Sequence, residues 1–175
     1  MKYLLIIIFA FIFSNAQAQH PLEYDTCNTL QQYQGEWMNV TGTDTLRIFL
    51  RPVRTYEPVY NNIKDFLWGW IEYKQGSNIV MSNYANRNLP VSNDWDYMFN
   101  ITNLYLKKYI CIADKLEGTF IDFNHHKGMI EWSADIIVSP ALVKMNVWQQ
   151  RTPSYNLNLG DTAMTLPARF TLLKQ

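Results

Sequence analysis

Past Gly35 the chain reads as a succession of short runs of strand-forming residues cut by turn residues, and this grammar constrains the fold more than any other feature. Residues 37–41, 45–51, 66–74 and 79–84 are rich in Val, Ile, Thr, Tyr, Phe and Trp, the side chains that suit a pleated, half-buried surface. The links Thr41-Gly42-Thr43-Asp44 and Gln75-Gly76-Ser77-Asn78 are short and carry the Gly, Asn and Asp that hairpin turns require. The pattern continues at 97–101, 105–112, 118–123, 129–135, 143–149 and 169–174, with Asn124-His125-His126-Lys127-Gly128 as a further hairpin link. Ahead of it, residues 29–34 predict a short helical turn that Gly35 ends. Some nine or ten strands on short links predict an all-β, antiparallel up-and-down meander. Closing into a barrel of about 8–10 strands is how such a meander best buries its edges; a two-sheet sandwich fits the same runs. Residues 52–64 and 151–164, carrying Pro, Asn and Tyr, read as irregular excursions at a rim, where binding loops sit.

The first residues carry an address. Lys2 gives a positive end, residues 4–13 are an unbroken apolar run, and Ala16-Gln17-Ala18 offers small residues at a cleavage site, the make-up of an export signal. A membrane-spanning helix needs about 20 apolar residues, so the expectation is cleavage after Ala18, with no integral membrane segment left behind. No cysteine directly follows the run for lipid attachment, and a secreted or periplasmic location is expected. Residues 19–175 then make one domain, long enough for a core of its own. Lys plus Arg and Asp plus Glu are equal at 15 each, which leaves no net field to attract nucleic acid. Cys27 and Cys111 are the only cysteines. An oxidising exterior permits a disulfide between them worth about 4 kcal/mol; the alternative is a buried thiol at Cys111 and an exposed one at Cys27.

Tyr33-Gln34-Gly35-Glu36-Trp37 places a Gly-x-Trp at the start of the first strand behind a helical turn, and this resembles the opening of lipocalin-type and avidin-type barrels. The resemblance implies that Gly35 allows a close chain approach at the barrel base and that Trp37 closes that end beneath an arginine of the last strand, for which Arg169 is the candidate. A wider likeness, carried by Gly35-Glu36-Trp37, Asp44-Thr45-Leu46-Arg47-Ile48, Leu166-Pro167 and Leu173-Lys174-Gln175, is to small uncharacterised secreted bacterial proteins. It implies no function.

Trp68, Trp70, Trp132 and Trp148 sit in apolar stretches. In Phe66-Leu67-Trp68-Gly69-Trp70-Ile71-Glu72-Tyr73, alternation sends Phe66, Trp68, Trp70 and Glu72 to one face and Leu67, Gly69, Ile71 and Tyr73 to the other. Two Trp rings on one face can stack a sugar, line an apolar cavity or simply fill a core. These four tryptophans are the candidate lining of a ligand site. Asn93-Asp94-Trp95-Asp96 has two carboxylates at calcium-loop spacing without the Gly and Glu that should follow. His125 and His126 point to opposite faces of an extended chain and have no third ligand at zinc spacing. No metal or cofactor is expected. Glu72, Glu117, Asp122 and Glu131 lie in or beside strands and could serve as an acid and base pair for glycoside chemistry, but alternation equally turns them to water. The leading expectation is a noncatalytic barrel that holds a small apolar ligand. The alternative is a cell-envelope interaction module with a solid interior; a hydrolase comes third.

Overall fold

The computed structural model describes residues 25, 28–58, 61–107, 115–122, 130–139, 141, 143–151 and 165–175. A 3-10 turn over Leu30–Tyr33 leads into β1 (Gly35–Thr41), and Gly35, at φ +121°, makes the corner. Then follow β2 (Asp44–Glu57), β3 (Asn62–Gln75) and β4 (Asn78–Ser82), a second 3-10 turn (Tyr84–Asn88), and a short helix α1 (Trp95–Ile101). β5 (Leu104–Lys107), β6 (Lys115–Asp122), β7 (Ile130–Val138), β8 (Lys144–Arg151) and β9 (Arg169–Lys174) complete the described elements. Gly42 and Gly76, both at φ near +60°, sit in the two tight turns anticipated for them, where residues with a Cβ are strained.

All neighbouring strands run antiparallel. β9 pairs with β8 on one side and with β1 on the other, at Trp37–Lys174 and Met38–Leu173, which closes the meander and decides for a barrel over a sandwich. Eight strands make the wall. The ninth, β4, shares one edge of β3 with β5: β4 covers residues 72–75 and β5 covers residues 67–69. Asn83 bridges the gap between them. Its backbone N–H donates to the Ile71 carbonyl at 3.0 Å and its side-chain oxygen accepts from the Ile71 N–H at 2.9 Å, so that one residue completes the ladder where neither strand reaches. The side-chain amide of Asn83 also donates to the Ile101 carbonyl, which ties the end of α1 to the wall.

Strand alternation sorts the side chains. Leu46, Ile48 and Leu50 of β2, Leu67 and Ile71 of β3, Leu104 and Leu106 of β5, and Leu116, Phe120, Ile136, Met145 and Val147 beyond them are all buried in one cluster inside the barrel. Each is worth about 1.5–3 kcal/mol against exposure. At the base Trp37 is fully buried and its indole N–H donates to the Tyr33 carbonyl at 2.8 Å. Gly69 and Gly118 are places of close approach: a Cβ on Gly69 would lie 2.9 Å from Leu104 Cβ, and one on Gly118 would lie 2.0 Å from the Tyr105 carbonyl oxygen.

Two expectations need correction. Residues 97–101 form part of α1 and not a strand, because Asp94 caps the helix by accepting from the N–H groups of Asp96 and Tyr97 at 2.9 and 3.2 Å; burial of Met98 then fixes the helix to the wall. Residues 52–64 are not an irregular excursion: β2 and β3 continue through most of them as a paired ribbon from Arg51–Trp68 to Glu57–Asn62. Pro52 is tolerated there because β1 ends opposite Leu50, leaving β2 an edge strand from that point. Of the run at 105–112, residues 105–107 lie in β5 and residues 108–112 lie outside the described residues. Residues 1–18, Cys27, Cys111, the link at 124–128 with its two histidines, and residues 152–164 lie outside the described residues.

Candidate functional site

Part of the outer face of β2 and β3 is apolar, as the inner one is, and this sets it apart from an ordinary barrel wall with one wet side. Val53, Phe66, Trp68, Trp70 and Met98 form a second buried cluster there, with Phe49, Trp95, Ile101 and Tyr105 packed against it. α1 and the chain around it, residues 83–103, lie across this face as a cover. The rings meet edge to face or tilted: Trp68 to Trp95 at 5.1 Å, Trp95 to Tyr105 at 5.1 Å, Phe66 to Trp95 at 5.3 Å and Phe49 to Trp70 at 6.2 Å between centroids. Such contacts add about 0.5–1.5 kcal/mol each beyond burial. The Trp68 indole N–H donates to the Thr55 hydroxyl at 3.0 Å, which satisfies a polar pair that burial would otherwise strand.

Beside the aromatic cluster a polar network holds the second 3-10 turn to the wall. Glu36 accepts from Arg47 at 2.8 Å and from the Tyr84 hydroxyl at 2.8 Å. The Arg47 and Arg87 guanidinium carbons stand 4.8 and 4.1 Å from the Tyr84 ring centre, a double cation–π contact. Glu72 lies 3.0 Å from Lys74 and 3.6 Å from Arg47. Burial alone would raise the Glu36 carboxyl, but the hydrogen bonds from Tyr84 and Arg47 and the charges of Arg47 and Arg87 outweigh it and hold the group below its ordinary value. Burial, then the hydrogen bond to Glu36 and its charge, push the Tyr84 phenol up. A third polar feature is a cleft of about 230 Å³ between the N-terminal turn and the β2–β3 ribbon, lined by Asp25, Asn28, Leu30, Arg54 and Asp65 among others. Its charges are spent internally: Arg54 donates twice to Asp65, and Asp25 accepts from Thr29 and from the Leu30 N–H.

The tryptophans singled out from the sequence do not share one chamber. Trp68 and Trp70 are wholly buried, on the outside of the wall under α1 and not in the barrel interior. Trp132 stands opposite Phe120 in the β6–β7 ladder. Trp148 stands between Asp135 and Arg169 in the ladder, half-buried, on the face opposite the fully buried Val147. Arg169 is exposed, on the alternate parity from the interior residues Phe170 and Leu172, and so points away from the barrel base. The cation over Trp37 is Lys174, whose Nζ is 5.5 Å from the ring centre and donates to the Gln32 carbonyl at 2.6 Å. Of the four strand carboxylates, Glu72 is held by Lys74 and Arg47. Glu117 stands opposite Asp135, Asp122 opposite Ile130 and Glu131 opposite Ile121, so none of the four opposes another. Among the described residues no group of three or more His, Cys, Asp or Glu is placed to hold a metal ion. Sequence reasoning missed Asn83, Arg47, Tyr84 and Arg87; the signal available was the apolar character of both faces of β3, which requires a cover.

The family model that matches the chain, over residues 1–131, is described as a family of unknown function (DUF6705). No curated protein and no solved structure matches.

Proposed function

The chain belongs to DUF6705, a family of unknown function, and we propose from its geometry that it is a noncatalytic interaction module of the cell exterior, a calycin-type barrel with a solid interior whose partner surface lies on the cover of its outer wall. The observation that carries this reading is the filling of the barrel: among the described residues the interior is occupied by large side chains from every strand of the wall, from Trp37 and Ile48 to Phe120 and Leu172. A carrier would devote that space to its ligand. Four of the nine exposed large apolar side chains among the described residues lie together on the cover and the neighbouring ribbon, Leu89, Val91, Tyr97 and Tyr56, each about two-fifths exposed. Tyr97 is held there by donating to the Pro90 carbonyl at 3.0 Å, and the Tyr56 N–H donates to the Asn93 carbonyl at 2.8 Å. Residues 83–103 and the ribbon thus form one fixed surface, of the mixed aromatic and apolar character that interfaces favour. The export signal read at residues 1–18 supports the exterior address, and the Gly-x-Trp opening supports the calycin likeness.

The test is site-specific photocrosslinking in cells that export the protein, with the reactive residue at position 91 and, as a control, at Ile137 on β7. A discrete adduct from position 91 alone is the expected result. Adducts that are equal at both positions, or absent at position 91, would overturn the reading. Native mass spectrometry adds a second arm: a small molecule retained by the folded chain and released on denaturation would return the argument to a carrier.

A further inference from the structure

The charges on the outer face of β1, β2 and β3 do not balance. Five cations, Arg47, Arg51, Lys64, Lys74 and Arg87, stand with three carboxylates, Glu36, Glu57 and Glu72. The carboxylates are engaged by Arg47, Lys64 and Lys74. Arg51 and Arg87, both half-buried, make no salt bridge within 4.0 Å among the described residues, although the charge of Arg87 reaches Glu36. Arg51 lies with its guanidinium carbon 5.5 Å from the centre of the Trp70 ring. One of its terminal nitrogens makes long bonds to the Arg87 and Leu89 carbonyls, at 3.4 and 3.3 Å, and its Nε is buried without an acceptor. Trp70 is fully buried and its indole N–H also lacks an acceptor. Two buried donors, the Arg51 Nε–H and the Trp70 indole N–H, thus belong to neighbouring side chains, with the strap of residues 87–89 held to Arg51. Buried donors without acceptors are costly, and a charged one more so.

We propose that Arg51 and Trp70, with Arg87 at the margin, form a binding site for an oxyanion, the carboxylate or phosphate group of a ligand. The guanidinium offers paired N–H groups in the planar fork that carboxylates and phosphates match, and the indole adds a neutral donor beside it. The strap, held to Arg51 by two long bonds, is the element that shifts to admit the group. This site is independent of whether the cover meets a protein partner, because a free anion suffices to occupy it.

The experiment is a titration of the mature, isotope-labelled protein with sodium phosphate and, separately, with sodium acetate, at constant ionic strength maintained by chloride. The indole N–H resonance of Trp70, identified by its loss in Trp70→Phe, is followed by NMR, and heats of binding are recorded alongside. A saturable shift of the Trp70 resonance larger than those of the other indoles is expected. A shift with phosphate alone, with acetate alone or with both names the anion chemistry while supporting the site. Arg51→Gln is expected to weaken binding about tenfold or more, since a charge-assisted bond is removed. Trp70→Phe, which keeps an aromatic ring in the cluster while removing the indole N–H, is expected to weaken it about three- to tenfold by calorimetry. Lys144→Gln, an exposed cation on β8, should leave it unchanged. Neither anion shifting Trp70 more than chloride does, or undiminished binding in the variants, overturns the proposal. Should Arg51→Gln fail to fold, Trp70→Phe decides alone.

Discussion

Gly118 has no room for a methyl group. A Cβ there would come within 2.0 Å of the Tyr105 carbonyl oxygen and 2.8 Å of Leu106 Cα, both backbone atoms that cannot swing aside. Gly118→Ala should therefore cost at least about 3 kcal/mol, at the upper end of overpacking penalties, as read by urea denaturation. Gly69→Ala meets only the Leu104 side chain and should cost less. Nothing in Leu116-Glu117-Gly118-Thr119 shows this, because the obstacle is supplied by β5 and becomes visible only when β5 and β6 are side by side. Asn83 was hidden for the same reason: in Met81-Ser82-Asn83-Tyr84 it reads as a turn residue, and its ties to Ile71 and Ile101 require a fold to bring them near. Gly35 and Trp37 were readable, since a backbone corner and the large residue after it are local features. Which cation covers Trp37 was not, because it depends on the parity of β9 across the closing seam.

Among the elements, the short strands were legible wherever turn chemistry bounded them, at Gly42 and Gly76. α1 escaped notice because Tyr97-Met98-Phe99-Asn100-Ile101 is rich in strand-favouring residues, and only the Asp94 cap and the docking of Met98 make it helical. Propensity is a weak prior when a face waits to be covered. The second 3-10 turn is fixed to the wall by Tyr84, and Glu36 makes that attachment sensitive to acid. The Glu36 carboxyl is held below its ordinary value of 4.5, so its contribution to stability is complete above that value and is lost as the pH falls through the lower folded-state value. Replacing Glu36 by Gln is expected to cost about 1 kcal/mol at neutral pH, the scale of a partly exposed pair. The gap between wild type and Glu36→Gln should close as urea denaturation is repeated from about pH 7 down to pH 3. A gap that is constant over that range would show that the carboxylate charge does not matter to the docking.

For the whole molecule, closure rests on β9, which joins β8 to β1. Removing residues 169–175 would expose the facing edges of both and strip Phe170 and Leu172 from the interior cluster. Calorimetry is expected to show loss of the single cooperative transition, with association of the open edges; a shortened chain that still melts as a monomer in one sharp step would mean that the wall holds without its seam. The all-β architecture followed from the sequence because alternation is a property of each strand alone. The outer aromatic cluster did not, because deciding which face of β3 looks inward takes the whole ring of strands. Asn83 and Asn103 contact β3 only two residues apart, at Ile71 and Gly69. What lies between them is consequently a cassette. Its two ends are pinned side by side, so its length and sequence can diverge, or be exchanged by design, without altering the path of any wall strand, provided that the replacement still shelters Phe66, Trp68 and Trp70 from water.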